Sequence, residues 1–259
     1  MQNKYLLTRP NLRPKITLSS RVRARLEGLF QDIAEQKFGG EVQLIVVDSG
    51  SRDGTREAAL AHGAQIVPID QASFSHPKAL NLGFEAADHD LVLTLVGHSN
   101  LTSRVALTGI TRWVRTPNLG GIYGPAALPD AHATSWEKLL AATMRLDRRL
   151  TPAEPLGELA KGAMVTHRAV FPRAVWRELG GFDLAYGAGG EDTAMARSIH
   201  AAGMKIVREP VLSIYHSHST GPIGTVRQAL EYRKLRSGAA NAFDTARLSY
   251  RPSLRLHEQ

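Results

Sequence analysis

An open α/β sheet wound on both sides by helices is the fold this sequence predicts, and three observations predict it. Short apolar runs alternate with segments of helical period over the first 120 residues. Two of those runs, QLIVVD at 43–48 and LVLTLV at 91–96, are continuously apolar or β-favouring, as strands buried on both faces of a parallel sheet must be. Each run ends abruptly in small polar residues, SGSRDGT after the first and GHSN after the second. In such sheets ligands sit beyond the carboxyl ends of the strands, so these two loops are where a site belongs.

The elements follow in order. Residues 1–15 hold two prolines among alternating basic residues and read as an irregular lead-in. RVRARLEGLFQDIAEQ, at 21–36, places Val22, Leu26, Leu29, Phe30 and Ile33 on one helical face, and Gly39-Gly40 stops it. The strand 43–48 comes next, and Asp53 stands where an N-cap for a helix over 55–62 belongs. A short strand at 65–68, a helix at 78–87, the strand 91–96, a helix at about 103–115 and a strand at 121–124 continue the alternation. Further helices are expected at 136–150, 172–179 and 191–202, strands at 205–207 and 211–216, and a basic helix at 225–236.

Composition narrows the function classes. A chain of 259 residues, 43% hydrophobic and 22% charged, suits one large soluble α/β domain or two small ones. The absence of cysteine excludes a disulfide framework and a thiolate zinc site, and fits a reducing compartment. No apolar run nears the roughly 18 residues a membrane span needs. The opening MQNKYLLTRPNLRPK lacks the apolar core of a signal peptide, so a cytoplasmic protein is expected. The formal net charge of +8 suits an anionic partner. The arginines are dispersed and aromatic content is only 6%, with no basic stripe interleaved with aromatics. Nucleic acid is therefore not an expected partner; a diphosphate, or the inner face of a membrane, is.

Three stretches carry candidate chemistry. In IVVDSGSRDGT, 45–55, an acid directly after a buried strand can accept from a sugar hydroxyl or a base N–H. The alternative is that Asp48 and Asp53 only cap a turn and a helix. FSHPKALNLGFEAADHD, 74–90, and GGFDLAYGAGGEDTAMARSIHAAGMKIVREPVLSIYHSH, 180–218, follow.

The ordered set strand-DSGSRDGT, KALNLG, buried strand, then GGFD, GGED and YHSH resembles the family 2 glycosyltransferases of the GT-A fold, over roughly residues 15–220. Within them it is most similar to bacterial enzymes that transfer sugars such as rhamnose. The resemblance implies a doubly wound, mostly parallel sheet flanked by helices. It also implies a single catalytic domain over 1–220, with a Rossmann-like nucleotide-binding half at about 15–120 and an acceptor half at about 121–220. Residues 221–259 then form a basic helical extension that could touch a membrane, a solvated face being the other reading. The implied reaction is inverting transfer from a nucleoside diphosphate sugar to a hydroxyl of a saccharide, lipid-linked or small-molecule acceptor.

Site residues are implied position by position. Asp48 matches the acid that contacts the base or ribose, and Lys78 a basic position near the diphosphate. Asn81 and Gly83 match the pocket wall, Asn81 having a structural reading as well, and Ser99 can hydrogen-bond a phosphate. Asp192 matches the catalytic base, and Glu191 beside it an acceptor contact or a support for Asp192; the plain alternative for both is complementing a helix dipole. Trp136 and Lys161 are placed on the acceptor side, with ordinary core and surface roles as alternatives.

Two departures qualify the resemblance. The turn after the first strand reads KITLSSRVRARL and lacks the family's proline; Ser19, Ser20 and Arg21 stand there. The acid pair Asp-x-Asp is replaced by Val96-Gly97-His98, so His98 occupies the position of the metal-binding acid. His216 and His218, two apart on a strand, are expected to point to the same site. Imidazole suits Mn²⁺ or Zn²⁺ better than the harder Mg²⁺. Three readings stay open: a divalent cation, Mn²⁺ or Mg²⁺ in the family, held by these histidines; a metal-independent site; or a catalytically inactive nucleotide-sugar-binding homologue that serves as a partner protein.

Overall fold

A computed structural model describes residues 12–17, 23–125, 127–143, 154–156, 164–186, 189–218 and 221–226. Eleven strands and seven α-helices lie among them: β1 Leu12–Thr17, α1 Arg23–Ala34, β2 Ile45–Asp48, α2 Thr55–Ala61, β3 Gln65–Pro68, α3 His76–Ala86, β4 Leu91–Val96, β5 Ser99–Leu101, α4 Ala106–Thr111, β6 Leu119–Tyr123, β7 Ala127–Leu128, α5 Ser135–Thr143, β8 Glu154–Leu156, β9 Arg168–Pro172, α6 Arg173–Glu178, α7 Glu191–Ala201, β10 Lys205–Arg208 and β11 Ile214–His216. Eight strands form one sheet in the order β3-β2-β1-β4-β9-β6-β10-β8, and β5-β11-β7 form a small second sheet.

The alternation of side chains along each buried strand builds the layers. In β4, Leu91, Leu93 and Leu95 face one core with Leu26, Leu29, Phe30 and Ile33 of α1 and Leu107 and Ile110 of α4. Val92 faces the other, with Leu80 and Phe84 of α3, Val175 of α6 and Met195 and Ile199 of α7. A strand with period two and helices on both sides buries every position, which is why 91–96 reads as a run of apolar and β-favouring residues, the one polar member, Thr94, having its hydroxyl bonded. Leu26, Leu29, Phe30 and Ile33 of the predicted α1 face are the residues that pack; Val22 lies outside the described residues. No described helix is long and apolar enough to cross a membrane.

Several expectations are corrected. β1 starts at Leu12, inside the stretch read as irregular, and pairs in parallel with β2 and β4. The helix expected over 103–115 is only Ala106–Thr111, followed by turns. The strand expected over 211–216 is a 3₁₀ turn at Pro210–Leu212 and a strand only from Ile214. Asp53 is not the N-cap of α2: Gly54 is, at φ 83, a conformation glycine adopts without strain. Asp53 Oδ1 still accepts from the Thr55 amide at 3.2 Å, from one position earlier.

The largest correction is β9. Residues 168–172 were not expected to be a strand, yet β9 lies antiparallel between β4 and β6 in the middle of the sheet. The sheet is therefore mixed, with its parallel pairs at β3-β2-β1-β4 and β6-β10. Thr94 of β4 secures the start of β9: its hydroxyl donates to the Ala169 carbonyl at 3.0 Å and also to that of Thr166.

Candidate functional site

β4 ends at Val96, and the chain turns through Gly97-His98 into β5. β5 runs antiparallel to β11, with Ser99 opposite His216. This register sets His98 beside His216: the two Nε2 atoms are 2.7 Å apart, with ring centroids 4.5 Å apart. His218 joins them, its ring 4.6 Å from that of His216 and 5.8 Å from that of His98. Ligand atoms of all three histidines lie within 4.8 Å of one another. The three rings thus lie together, although β11 ends at His216 and His218 lies beyond the strand on which both were expected.

A fourth imidazole, not anticipated as a site residue, lies against them. His167 stacks on His216 at 5.3 Å and 26°. Its Nε2 bonds to Arg168 Nη1, and Arg168 Nε donates to the Gly124 carbonyl at 2.6 Å. Burial holds the His167 pKa well below the usual value, and the Arg168 guanidinium and the three neighbouring imidazoles push it the same way. A neutral ring accepting at Nε2 carries its proton on Nδ1. His167 closes the stretch GELAKGAMVTH, where only Lys161 had been singled out; the histidine itself was the available signal.

The same turn reaches the acid pair. Thr166 Oγ1 donates to Glu191 Oε1 at 3.2 Å. Glu191 opens α7 behind Gly190 and is 6% exposed, and its Oε2 has no hydrogen-bond partner among the described residues. Burial, then the charge of Asp192, push the Glu191 pKa up to about 7. Asp192 is half-buried, and its Oδ1 accepts from the Thr193 amide at 2.6 Å. His76, at the start of α3, is near enough to feel the Asp192 charge, which raises its pKa against a larger lowering by burial. It too was not foreseen. Residues 166–168 therefore join the acid pair on one side to the imidazole cluster on the other.

The remaining predicted residues are placed as follows. Asp48, 1% exposed at the end of β2, accepts from the amides of Gly50 at 3.3 Å and Ser51 at 3.1 Å, with Arg56 at 3.9 Å. A carboxylate has about four acceptor sites, so this turn does not exhaust it. Lys78 Nζ donates to Ser73 Oγ at 2.7 Å. Asn81 spends its amide on the loop before α7: Nδ2 donates to the Phe182 carbonyl at 2.8 Å, and Oδ1 accepts from the Phe182 amide at 2.8 Å and Trp176 Nε1 at 3.0 Å. Gly83 is buried in α3. Ser99 is fully buried and donates to the Val96 carbonyl at 2.7 Å, holding the turn that presents His98. Trp136 Nε1 donates to Thr225 at 3.1 Å, tying α5 to the start of the C-terminal extension. Lys161, Ser19, Ser20, Arg21 and the basic residues beyond 226 lie outside the described residues.

The chain matches the family described as glycosyltransferase like family 2 over residues 19–233. It belongs to that family. It is 29% identical over 185 residues to the O-antigen chain rhamnosyltransferase WbaN of Salmonella anatum, covering 70% of this chain and 58% of that protein. Its fold is similar to that of the mannosyltransferase PcManGT from Pyrobaculum calidifontis, solved with GDP-Man and Mn²⁺, at a TM-score of 0.67 and 18% identity over 92% of this chain and 65% of that one. It is also similar to S. aureus TarS in complex with UDP-GlcNAc, at a TM-score of 0.63 and 12% identity over 81% of this chain and 59% of that one. The chain thus spans less than two thirds of the length of each of these proteins. The fold is GT-A, as the family resemblance implied.

Proposed function

We propose that the chain is an inverting glycosyltransferase that moves a sugar from a nucleoside diphosphate sugar to an acceptor hydroxyl. The observation that carries this reading is the turn 166–168, which links the acid pair of α7 to the imidazole cluster beyond β4 and β11. This reading makes Asp192, next to Glu191, the proton acceptor and the imidazole cluster the anion-binding centre, the two groups that displacement of a diphosphate requires. Family membership and the GT-A fold support it.

In this mechanism the Asp192 carboxylate takes the acceptor hydroxyl proton as that oxygen attacks the anomeric carbon from the face opposite the diphosphate. The bond to the leaving diphosphate oxygen breaks as the new one forms, so the configuration inverts. Glu191, carrying a proton through part of the working range, leaves the negative charge to Asp192 and supports the acceptor side with Trp136. Asp48 lines the nucleotide pocket and Lys78 supplies charge to the diphosphate, whereas Ser99, fully buried, acts by holding the turn that presents His98, and Gly83, buried in α3, acts through packing. Asn81 acts by holding the Gly181–Phe182 loop in front of α7. His98, His216 and His218 fit a divalent cation: three imidazole donors converge, with two of their nitrogens 2.7 Å apart. A cation bound there would supply positive charge against the departing diphosphate.

The test is a panel of nucleoside diphosphate sugars, including rhamnose, mannose and N-acetylglucosamine donors, with nucleoside diphosphate release as the readout and NMR of the product anomer. Release from one donor with an inverted product supports the reading. Tight donor binding with no release under any acceptor overturns it in favour of the inactive partner, the reading that the replaced Asp-x-Asp pair favours.

A further inference from the structure

The donor atoms that converge at His98, His216 and His218 are all imidazole nitrogens. Two acids bond to this segment, and neither is among the converging candidate donors. Asp130 accepts from the Ser217 hydroxyl and, at 2.8 Å, from the His132 amide. Glu137 accepts from the His218 amide at 3.0 Å and from the Thr134 amide at 2.8 Å. They fix the backbone that carries the imidazoles, and neither belongs to the cluster of candidate donor atoms.

An all-imidazole set has a definite preference. Mg²⁺ demands oxygen ligands and gives up its water reluctantly. Imidazole suits Zn²⁺, Ni²⁺ and their neighbours, and Mn²⁺ stands at the weak end of the divalent series for such donors. His98 Nε2 and His216 Nε2 lie 2.7 Å apart, closer than the roughly 3.0–3.4 Å between adjacent ligands on one ion with bonds of about 2.1 Å, so the two rings part by under about 1 Å to take an ion between them.

Protein contacts hold the rings together. The β5–β11 pairing sets His98 against His216. Ser99 closes the turn behind His98. His167, itself held by Arg168, stacks on His216. Three neutral ligands also leave the whole double charge of the ion, where carboxylates would cancel part of it. The replaced acids thus change both the ion accepted and the charge presented to a diphosphate.

We propose that the His98–His216–His218 site binds a borderline transition ion of the Zn²⁺ and Co²⁺ class without nucleotide, and rejects Mg²⁺ and, by a smaller margin, Mn²⁺. This rests on the reading above that these three side chains hold the cation. The experiment is calorimetric titration of the untagged, chelator-stripped full chain with Zn²⁺, Co²⁺, Mn²⁺ and Mg²⁺, with and without nucleoside diphosphate, alongside the visible spectrum of the Co²⁺ form. The expected result is one site without nucleotide, with Zn²⁺ and Co²⁺ at least ~100-fold tighter than Mg²⁺ and ~10-fold tighter than Mn²⁺. Co²⁺ bands should be lost in His98→Ala and in His216→Ala and kept in His62→Ala. Mg²⁺ or Mn²⁺ binding as tightly as Zn²⁺, or binding of any ion only with nucleotide, overturns the proposal and leaves the three-histidine site standing. Absence of binding under every condition, or binding indifferent to His98 and His216, overturns the three-histidine reading itself.

Discussion

Thr166 donates its hydroxyl to Glu191 at 3.2 Å, and with this one bond the turn before β9 reaches the first residue of α7. Glu191 is buried there, with a pKa pushed from 4.5 to about 7, first by burial and then by the charge of Asp192. The sign follows from linkage. Below pH 4.5 the folded and unfolded chains both hold the proton; between 4.5 and about 7 the unfolded chain releases it first. The contribution of Glu191 to stability is therefore full at low pH, falls through that window by roughly 3 kcal/mol, and is flat above it. Glu191→Gln lacks this proton. Its melting temperature relative to wild type should rise by several degrees between pH 5 and pH 8. A constant difference across that range would show that Glu191 is ionised throughout.

Asp192 is the base in the proposed mechanism, and its carboxylate is half-buried at the first turn of α7. Asp192→Asn keeps the shape and the bond to the Thr193 amide but cannot take a proton. Turnover should fall by ~10²–10⁴, the usual weight of a general base. Donor affinity, measured by calorimetry, should stay within a fewfold of wild type. Full turnover in this variant would remove Asp192 from the role.

Asn81 bonds to Trp176 and to both backbone groups of Phe182, and Gly181 beside them sits at φ 83 with its missing Cβ only 2.9 Å from Asn81 Oδ1. Asn81→Ala strands three polar groups, each costing about 1–3 kcal/mol where it stays dry. A loss of at least ~2 kcal/mol in urea unfolding is expected. Gly181→Ala should be destabilised as well, from its backbone and from the close approach together. If Asn81→Ala instead unfolds like wild type and loses only nucleotide affinity, Asn81 is a pocket residue and not a tie.

What the sequence made legible was periodic. The unbroken runs of β2 and β4 and the spaced face of α1 follow from burial on one or two sides, and burial writes itself locally. β9 did not show itself, because RAVFP opens with a buried arginine and closes on a proline that leads into a helix. Its place between β4 and β6 is fixed by partners more than 45 residues away, such as Thr94 for Ala169. Missing β9 meant missing the turn before it, and with it Thr166 and His167 as site residues. His98 and His216 were found by their matched positions; their contact depends on the β5–β11 register, which no local pattern states.

His167 yields the sharpest separation of packing from function. Its ring lies 5.3 Å from that of His216 at 26°, and Arg168 holds its far edge. With Nε2 taken by Arg168, His167 contributes a flat wall that fixes the orientation of His216. Supporting groups of this kind commonly change metal affinity 10–100-fold when removed. His167→Ala should weaken Co²⁺ or Zn²⁺ binding by ~10-fold or more. His167→Phe, which keeps the flat face but gives Arg168 no acceptor, should recover most of that loss while remaining less stable than wild type. A wall that only filled space would behave otherwise: both variants would melt lower and bind the ion with wild-type affinity. If Phe fails where Ala fails, the ring face is not what matters, and the Arg168 bond carries the effect instead.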